Sequence, residues 1–118
     1  MMRGRKPTPW VCGHVQVMLS ASPASVLDAI RIIVAMNPIY RNAHEDTDHT
    51  VFEMTVNIPW SLLGLPMRVT VADQGRQTLV KVAVTSQWWR MTDVGGTRDR
   101  RIRDFITALK QQVAQGTT

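Results

Sequence analysis

Three runs of alternating apolar and polar residues between Thr50 and Gln87 constrain the fold of this chain more than any other feature. The alternate positions between the apolar residues are polar or small. A sheet with one packed face and one wet face has this pattern. The sequence therefore predicts an antiparallel meander of three strands, whose core-facing residues are Phe52, Met54, Val56 and Ile58, then Met67, Val69 and Val71, then Val80, Val82 and Val84.

The parity of the pattern predicts how the last two strands of the meander pair. Residues opposite each other in an antiparallel pair share a face, so Val71 should lie opposite Val80. Gln74 then faces Gln77, and Gly75-Arg76 remains as a two-residue turn. Glycine at the first central position suits a type II′ hairpin turn. The face and the turn residues agree independently on this register.

The same reasoning predicts a longer connection between the first two strands of the meander. It pairs Val56 with Val69 and Pro59 with Pro66, which leaves residues Trp60–Leu65 as a loop. This loop contains one tryptophan and three leucines, which is unusually apolar for a surface connection. We therefore expect it to contact another apolar surface.

Ahead of the meander, the sequence predicts a strand followed by a helix. Residues Trp10–Leu19 alternate as a strand does, with apolar residues at odd positions. Ser22 is a favourable N-cap and Pro23 suits the first helical position, where its missing N–H costs nothing. The helix should end at Asn37-Pro38, because a residue before proline avoids helical geometry. Its buried face is expected to be Val26, Leu27, Ile30, Ile33 and Val34.

The sequence pattern is weaker in the middle of the chain and clearer again at its end. Ile39–Ala43 is a strand candidate, and the polar residues His44–His49 follow it as a turn. Residues 90–96 read as a loop, and a second amphipathic helix is predicted from about Thr97 to about Ala114. Its apolar stripe is Ile102, Phe105, Ile106, Leu109 and Val113.

This order predicts an α+β two-layer sandwich, with the topology β-α-β(3 or 4)-α and the meander packed under two helices. Helices with one apolar face and a sheet with one apolar face can bury those faces only against each other. The 118 residues suit one domain, which we place at 10–114. Residues 1–9 are basic and without periodicity, so they are expected to form a flexible tail, and residues 115–118 are expected to fray.

Composition limits the surroundings and the partners of the protein. The single cysteine, Cys12, cannot form an internal disulfide, which favours a reducing compartment. The formal net charge of +5 permits attraction to nucleic acid or anionic lipid, but it is also explained by solubility alone. No apolar stretch reaches the roughly 18 residues of a membrane span, and the N-terminal sequence is too polar for a signal peptide. The protein is predicted to be cytoplasmic, without a transmembrane segment.

The order of elements resembles the TATA-binding-protein-like arrangement, and more specifically a shortened member of the START and polyketide-cyclase group, the helix-grip fold. The resemblance is carried by the opening strand with Ala21–Ala29, by the meander, and by the amphipathic helix after Gly95-Gly96. It extends from about Val11 to Val113. It implies a ligand cavity between the sheet and the last helix, because such a cavity is usual in this group.

The first candidate site is an apolar lip at one edge of the sheet. The strand directions bring the end of the last strand back to the edge where the Trp60–Leu65 loop emerges. A patch of this size would exceed what monomers usually expose. It is either buried or used for self-association, or it contacts a ligand or a membrane. The apolar lip consists of Trp60, Leu62, Leu63, Leu65, Trp88, Trp89 and Met91, with Phe105 of the last helix as a further residue of the ligand site.

The second candidate is an anion site where a glycine-rich loop enters the last helix. Free N–H groups and a positive dipole at a helix start can bind an anion, and nearby arginines add charge. The spacing is not that of a P-loop. Thr97 acting as a simple N-cap, with the arginines solvated, explains the same residues. The candidate anion-binding residues are Gly95, Gly96, Arg98 and Arg101.

No metal or cofactor site is predicted. The turn His44–His49 contains many metal-ligand residue types, but its two histidines are five residues apart and no helix is predicted there. It also lacks the glycine and distal glutamate of a calcium loop. A solvated turn is the simpler interpretation. Neither a nucleophile elbow nor a cysteine paired with a nearby histidine is evident, so an enzymatic function is uncertain and not favoured.

Three functional hypotheses follow from the sequence. The first is a non-enzymatic domain that binds a hydrophobic small molecule or lipid between the sheet and the C-terminal helix, with the Trp60–Leu65 loop as its gate. The second makes the apolar lip a protein–protein surface, most simply a homodimer interface. The third is nucleic-acid binding through the basic N-terminal tail and the arginines of the last helix, Arg98, Arg100, Arg101 and Arg103.

Overall fold

In the part of the chain that the structure describes, five antiparallel strands form one sheet and two helices accompany it. A computed structural model of the chain describes residues 14–48, 50–59, 61–86 and 96–116. Along the chain the elements are β1 (His14–Leu19), α1 (Pro23–Met36), β2 (Tyr40–Glu45), β3 (Val51–Ile58), β4 (Ser61–Asp73), β5 (Thr78–Val84) and α2 (Thr97–Gly116). The strand order across the sheet is β1-β5-β4-β3-β2. The predicted two-layer α+β sandwich is confirmed, with four strands between the helices.

The hairpin between β4 and β5 has the predicted register. Val71 lies opposite Val80, as the parity of the apolar pattern requires. The N–H of Gln74 donates to the carbonyl of Gln77 at 2.9 Å, and Gly75 has a φ of +88°. That left-handed backbone is accessible to glycine at little cost, which explains the residue at this turn.

The predicted register of the hairpin between β3 and β4 is wrong by four residues. Val56 lies opposite Leu65 rather than Val69, and Phe52 is the partner of Val69. Residues after Trp60 are therefore not a loop, because β4 begins at Ser61 and runs for 13 residues. The physical reason is that this register buries Leu65 completely. An even slip leaves every side chain on its predicted face, so parity could not detect it.

A bulge near the start of β4 allows β3 and β4 to remain paired as far as Ser61. Val56 and Ile58 are two positions apart, whereas their partners Leu65 and Ser61 are four positions apart, so β4 carries two extra residues. Gly64 lies within this bulge and has a φ of +74°. Bulges commonly place glycine in this conformation.

The first helix has the predicted boundaries. The Oγ of Ser22 accepts a hydrogen bond from the N–H of Ser25 at 3.2 Å, and Pro23 occupies the first turn. Asn37 caps the other end with an extended backbone, next to Pro38. The face predicted to be buried is in the core, with Val26, Ile30 and Ile33 buried and Leu27 and Val34 partly buried against them.

The other predicted elements exist with shifted boundaries. The described part of β1 begins at His14, and residues 10–13 lie outside the described part of the chain. The strand predicted at Ile39–Ala43 is β2, which includes two residues that we assigned to the following turn. α2 extends to Gly116, slightly beyond its predicted end.

The core lies between the sheet and the helices. The stripe of α2 is buried as predicted, with Phe105 and Leu109 fully inaccessible to solvent. α2 contacts α1 and also strands β1 and β5, while α1 contacts β4 and β2. Thr78 is the buried polar residue of β5, and its hydroxyl donates to the carbonyl of Ala21 at 2.6 Å. This bond joins the start of β5 to the connection between β1 and α1.

Neither α1 nor α2 combines the length and the hydropathy that a bilayer-crossing helix needs.

Candidate functional site at the hairpin end

The sequence analysis placed the apolar lip at the end of the sheet formed by the β3–β4 hairpin, where the structure describes the side chains of Leu63 and Leu65. We define the hairpin end as Ser61–Leu65 of β4 and the facing residues of β3. The last pairing of β5 with β4 joins Val84 to Met67, and the N–H of Thr85 then donates to the carbonyl of Pro66 at 3.1 Å. β5 therefore runs toward the hairpin end, which is the direction that the predicted apolar lip requires.

The described residues of the apolar lip differ sharply in exposure. Leu63 has 88% of its surface exposed, whereas Leu65 is fully buried. Leu62 belongs to β4, but its side chain lies outside the described part. The predicted participation of Trp60, Trp88, Trp89 and Met91 falls outside the described residues. Phe105, which the sequence analysis placed with this site, is fully buried in the same core as Leu65.

The interface between the sheet and α2 is filled wherever described residues line it. Met54, Met67, Val82, Phe105 and Leu109 are each at most 3% exposed. Protein interiors packed in this way leave little room for a guest. An apolar molecule could enter among these five side chains only by displacing them.

Arg41 of β2 lies at the hairpin end, opposite Thr55 of β3. Its Nη2 atom is 2.9 Å from the position that a Cβ on Gly64 would occupy, so the guanidinium uses space left by the missing side chain. Its Nε atom is buried and has no hydrogen-bond partner. Sequence reasoning missed this residue, because the arrangement depends on Gly64 two strands away.

The outer face of the sheet, which faces away from the helices, carries a row of charges across three strands. Arg68 of β4 donates from Nε and Nη2 to Oε2 of Glu53 on β3, at 2.8 and 2.6 Å. Nε2 of His44 on β2 is 3.4 Å from Oε1 of the same carboxylate. The hydrogen bond from Arg68 is the largest cause that lowers the pKa of Glu53, and His44 adds to it. These residues line an open groove of about 410 Å³ together with Asp46 and Val51.

At the candidate anion site at the start of α2, the carboxylate of Asp99 already pairs with the guanidinium of Arg98. Arg98 has only 11% of its side chain exposed, and its Nε lies 3.0 Å from Oδ1 of Asp99. Gly96 is exposed with a φ of +72°, Arg101 is half-buried, and Gly95 lies outside the described residues. Arg100 and Arg103 also have interaction partners. This arrangement gives no support to nucleic-acid binding through α2.

The polar turn before β3 is held together by hydrogen bonds from backbone N–H groups to the side chain of Asp46. Oδ1 of Asp46 accepts hydrogen bonds from the N–H groups of Thr50 and Val51, at 2.9 and 3.1 Å. Within residues 14–48, 50–59, 61–86 and 96–116, no three His, Cys, Asp or Glu side chains come together as a metal-binding group requires. Asp46 therefore acts in the turn as a structural acceptor.

Comparison with solved structures gives the same fold at low sequence identity. The Aha1 dimer from Colwellia psychrerythraea matches with a TM-score of 0.59 at 14% identity, over 85% of this chain and 93% of that chain. A START superfamily protein from Mycobacterium smegmatis matches with a TM-score of 0.47 at 12% identity, over 86% of this chain and 96% of that chain. No protein-family profile and no curated protein sequence matches the chain. The predicted helix-grip resemblance is confirmed at the level of the fold alone, which this chain shares with the Aha1 structure.

Proposed function

We propose that this protein is a non-enzymatic domain that binds an apolar small molecule or lipid at the hairpin end. The observation that carries the proposal is the 88% exposure of Leu63, a large apolar side chain on a structured strand. Leu65, two positions further along β4, and Phe105 belong to the buried core, whose edge would supply an apolar floor. Because the described interface with α2 is filled, the proposed site lies at its edge, with Ser61–Leu65 as the wall that a ligand contacts first.

The direction of β5 supports a larger apolar surface at this place. Thr85 is bonded to Pro66, and the chain continues from there toward Trp88, Trp89 and Met91. Trp60 precedes β4 directly. We include these four residues and Leu62 in the proposed site, since aromatic side chains supply most of the contact area in apolar binding sites.

Binding of a neutral apolar probe tests this proposal. We expect 1-decanol to bind the wild-type protein in an isothermal titration at micromolar concentrations. Leu63→Ser should weaken binding about tenfold, because the lost apolar contact is worth about 1.4 kcal/mol. Met18→Ser is the matched control: Met18 is 45% exposed and lies opposite Leu79, which pairs with Ala72. Ala72 is roughly 30 Å from Leu63 along β4, at the 3.3 Å rise of a strand.

Two results would contradict the proposal. One is that the wild-type protein binds no 1-decanol, and the other is that Met18→Ser weakens binding as much as Leu63→Ser does. The second result would mean that the probe adheres to any exposed apolar residue.

A second candidate function is homodimerisation through the same surface. It is favoured by the exposure of Leu63 and by the solved Colwellia psychrerythraea relative, which is described as a dimer. Light scattering at high protein concentration separates the two candidates. A dimer that becomes a monomer in Leu63→Ser or Trp60→Ala supports this function. A monomeric wild-type protein excludes it and leaves ligand binding.

A further inference from the structure

The two most exposed large apolar side chains in the described part of the chain lie at the same end of the domain. Leu63 at the hairpin end is 88% exposed, and Met36, the last residue of α1, is 74% exposed. Shortly after α1, the carbonyl of Ile39 accepts a hydrogen bond from the N–H of Asn57 at 2.7 Å. Asn57 is near the end of β3, where the chain turns into β4. The end of α1 and the hairpin end are therefore neighbours.

The segments of α1, β2, β3 and β4 at this end contain no carboxylate. Arg41 is the charged residue in their described parts, which are 35–41, 55–59 and 61–66. Ile32, one helical turn before Met36 and on the same face of α1, is also exposed. An exposed apolar surface with few charges commonly marks contact with a partner or a membrane.

The N-terminal half of α2 adds positive charge to the same end. The ring of Phe105 packs against Tyr40, the first residue of β2, which lies opposite the end of β3. Burial raises the pKa of Tyr40, and the charges of Asp104 and Arg101 also act on it, so both side chains lie nearby. Residues 97–104 contain four arginines and two aspartates, which gives this segment a net positive charge.

The turns at the opposite end of the sheet have the opposite charge. The described residues of the β2–β3 and β4–β5 turns include three aspartates and one basic residue, which are Asp46, Asp48, Asp73 and Arg76. Met18, a further exposed apolar residue, lies toward that end, because it pairs with Leu79 near the start of β5. The domain is therefore polarised, with an apolar and basic end and an end whose turns are acidic.

We propose that the hairpin end and the adjoining end of α1 dock on an anionic lipid bilayer. Exposed apolar side chains enter the boundary between headgroups and acyl chains, and basic residues near an anionic surface add attraction. In this orientation Met36 and Leu63 meet the bilayer, residues 97–104 lie near the lipid phosphates, and the acidic turns point away. The inference goes beyond the proposed ligand site, because Met36 and residues 97–104 are not part of that site.

Co-sedimentation of the full chain with vesicles tests the inference. One set of vesicles is phosphatidylcholine alone, and the other contains about 30% phosphatidylserine, an anionic lipid. At low salt we expect at least about tenfold tighter binding to the anionic vesicles, and about 0.5 M NaCl should remove this preference. Met36→Ser should weaken binding to the anionic vesicles about fivefold, because less apolar area enters the bilayer. Met18→Ser, at the other end of the domain, should leave binding unchanged.

Arg101→Gln and Arg76→Gln separate the orientation of the domain from its net charge. Both variants lower the net charge by one, but at opposite ends. Arg101→Gln should weaken binding to the anionic vesicles about fivefold, and Arg76→Gln by less than about twofold, since only a basic residue close to the surface contributes strongly. Thermal unfolding checks that every variant is folded. Equal losses in the two variants would mean that net charge alone drives binding, and the inference would be wrong.

The remaining outcomes distinguish docking from the proposed function. Docking is overturned if the wild-type protein binds neither kind of vesicle, binds both equally, or loses as much binding in Met18→Ser as in Met36→Ser. It is also overturned if vesicle binding is absent and Met36→Ser converts a wild-type dimer into a monomer, because the surface then belongs to a second copy. Binding of 1-decanol in the same preparations is the separate test of the ligand site, and Met36→Ser should not change it. Vesicle binding without 1-decanol binding supports docking and contradicts only the proposed function.

Discussion

Tyr40 and Phe105 meet edge to face, with ring centroids 5.7 Å apart and an angle of 81° between the ring planes. Tyr40 is the first residue of β2 and lies opposite Val56, and Phe105 is in the middle of α2. The contact therefore joins one edge of the sheet to the C-terminal helix. Edge-to-face pairs of this kind contribute about 0.5–1.5 kcal/mol beyond the area that they bury. They hold the floor next to the hairpin end in place.

The burial of Tyr40 predicts a loss of stability at alkaline pH. The pKa of its phenol is raised from 10.0 to about 12, chiefly by burial and also by the charge of Asp104, while Arg101 opposes the change. The unfolded chain loses this proton first, so the free energy of unfolding should fall as the pH rises from 10 to 12, by about 2 kcal/mol. Urea unfolding of wild type and Tyr40→Phe at pH 8 and pH 11.5 measures it. The wild-type protein should lose more stability than the variant, and equal losses would contradict the prediction.

The lowered pKa of Glu53 predicts a loss of stability at acidic pH. Its pKa is lowered below the ordinary value of 4.5, first by the hydrogen bond from Arg68. A carboxylate with a lowered pKa stabilises the fold above its unfolded pKa, and this contribution disappears as the pH falls through the folded pKa. Glu53→Gln should therefore flatten the decrease in melting temperature below about pH 4.5. The control is Asp28→Asn, which is also exposed and paired to an arginine but lies on α1. If the melting temperature of Glu53→Gln falls at acidic pH as steeply as that of the wild-type protein, another group is responsible.

Gly64 and Gly75 form a matched pair for testing the bulge in β4. Both have positive φ angles, +74° and +88°. A Cβ on Gly75 would meet nothing within 4 Å, whereas on Gly64 it would lie 2.8 Å from the carbonyl oxygen of Val56. Gly75→Ala should cost about 1 kcal/mol of unfolding free energy from the left-handed backbone alone. Gly64→Ala should cost at least about 3 kcal/mol, because strain and steric overlap add. Similar costs in the two variants would mean that the close approach is relieved cheaply.

Thr78 tests a buried hydrogen bond between distant parts of the chain. Its hydroxyl is buried and donates to Ala21, 57 positions earlier in the sequence. Thr78→Val keeps the shape but leaves the carbonyl without its donor, which should cost about 1–3 kcal/mol. Thr70→Val, on the outer face of β4, should change the free energy of unfolding by less than about 0.5 kcal/mol. If the two variants lose the same amount, the bond contributes nothing beyond the general effect of the substitution.

The faces of the strands and one hairpin followed from local sequence, because period and parity are properties of neighbouring residues. The register of β3 with β4 did not follow. A slip of four residues preserves every face, and the apolar residues before Leu65 looked like an unusual loop when they are the start of a strand. The bulge around Gly64 is what allows that strand to begin at Ser61.

The site was predictable only in part, for a related reason. Leu63 was singled out because an apolar residue in a supposed connection is unusual, but the sequence left open whether it is buried, and the structure shows it exposed. Arg41 gave no signal, because its unsatisfied state depends on what β3 and β4 place around it. In β2 the bulge at Asn42, which has a φ of +54°, also hid the period of the strand. Features created by pairing across strands are not visible along one strand.

A titration of the ¹⁵N-labelled protein with 1-decanol, followed by two-dimensional NMR, tests the central claim most directly. We predict that the largest amide shift changes occur in Ser61–Leu65, while the Gln74–Gln77 turn at the opposite end of β4 is unaffected. Changes centred on that turn, or spread evenly over the sheet, would contradict a binding site at the hairpin end.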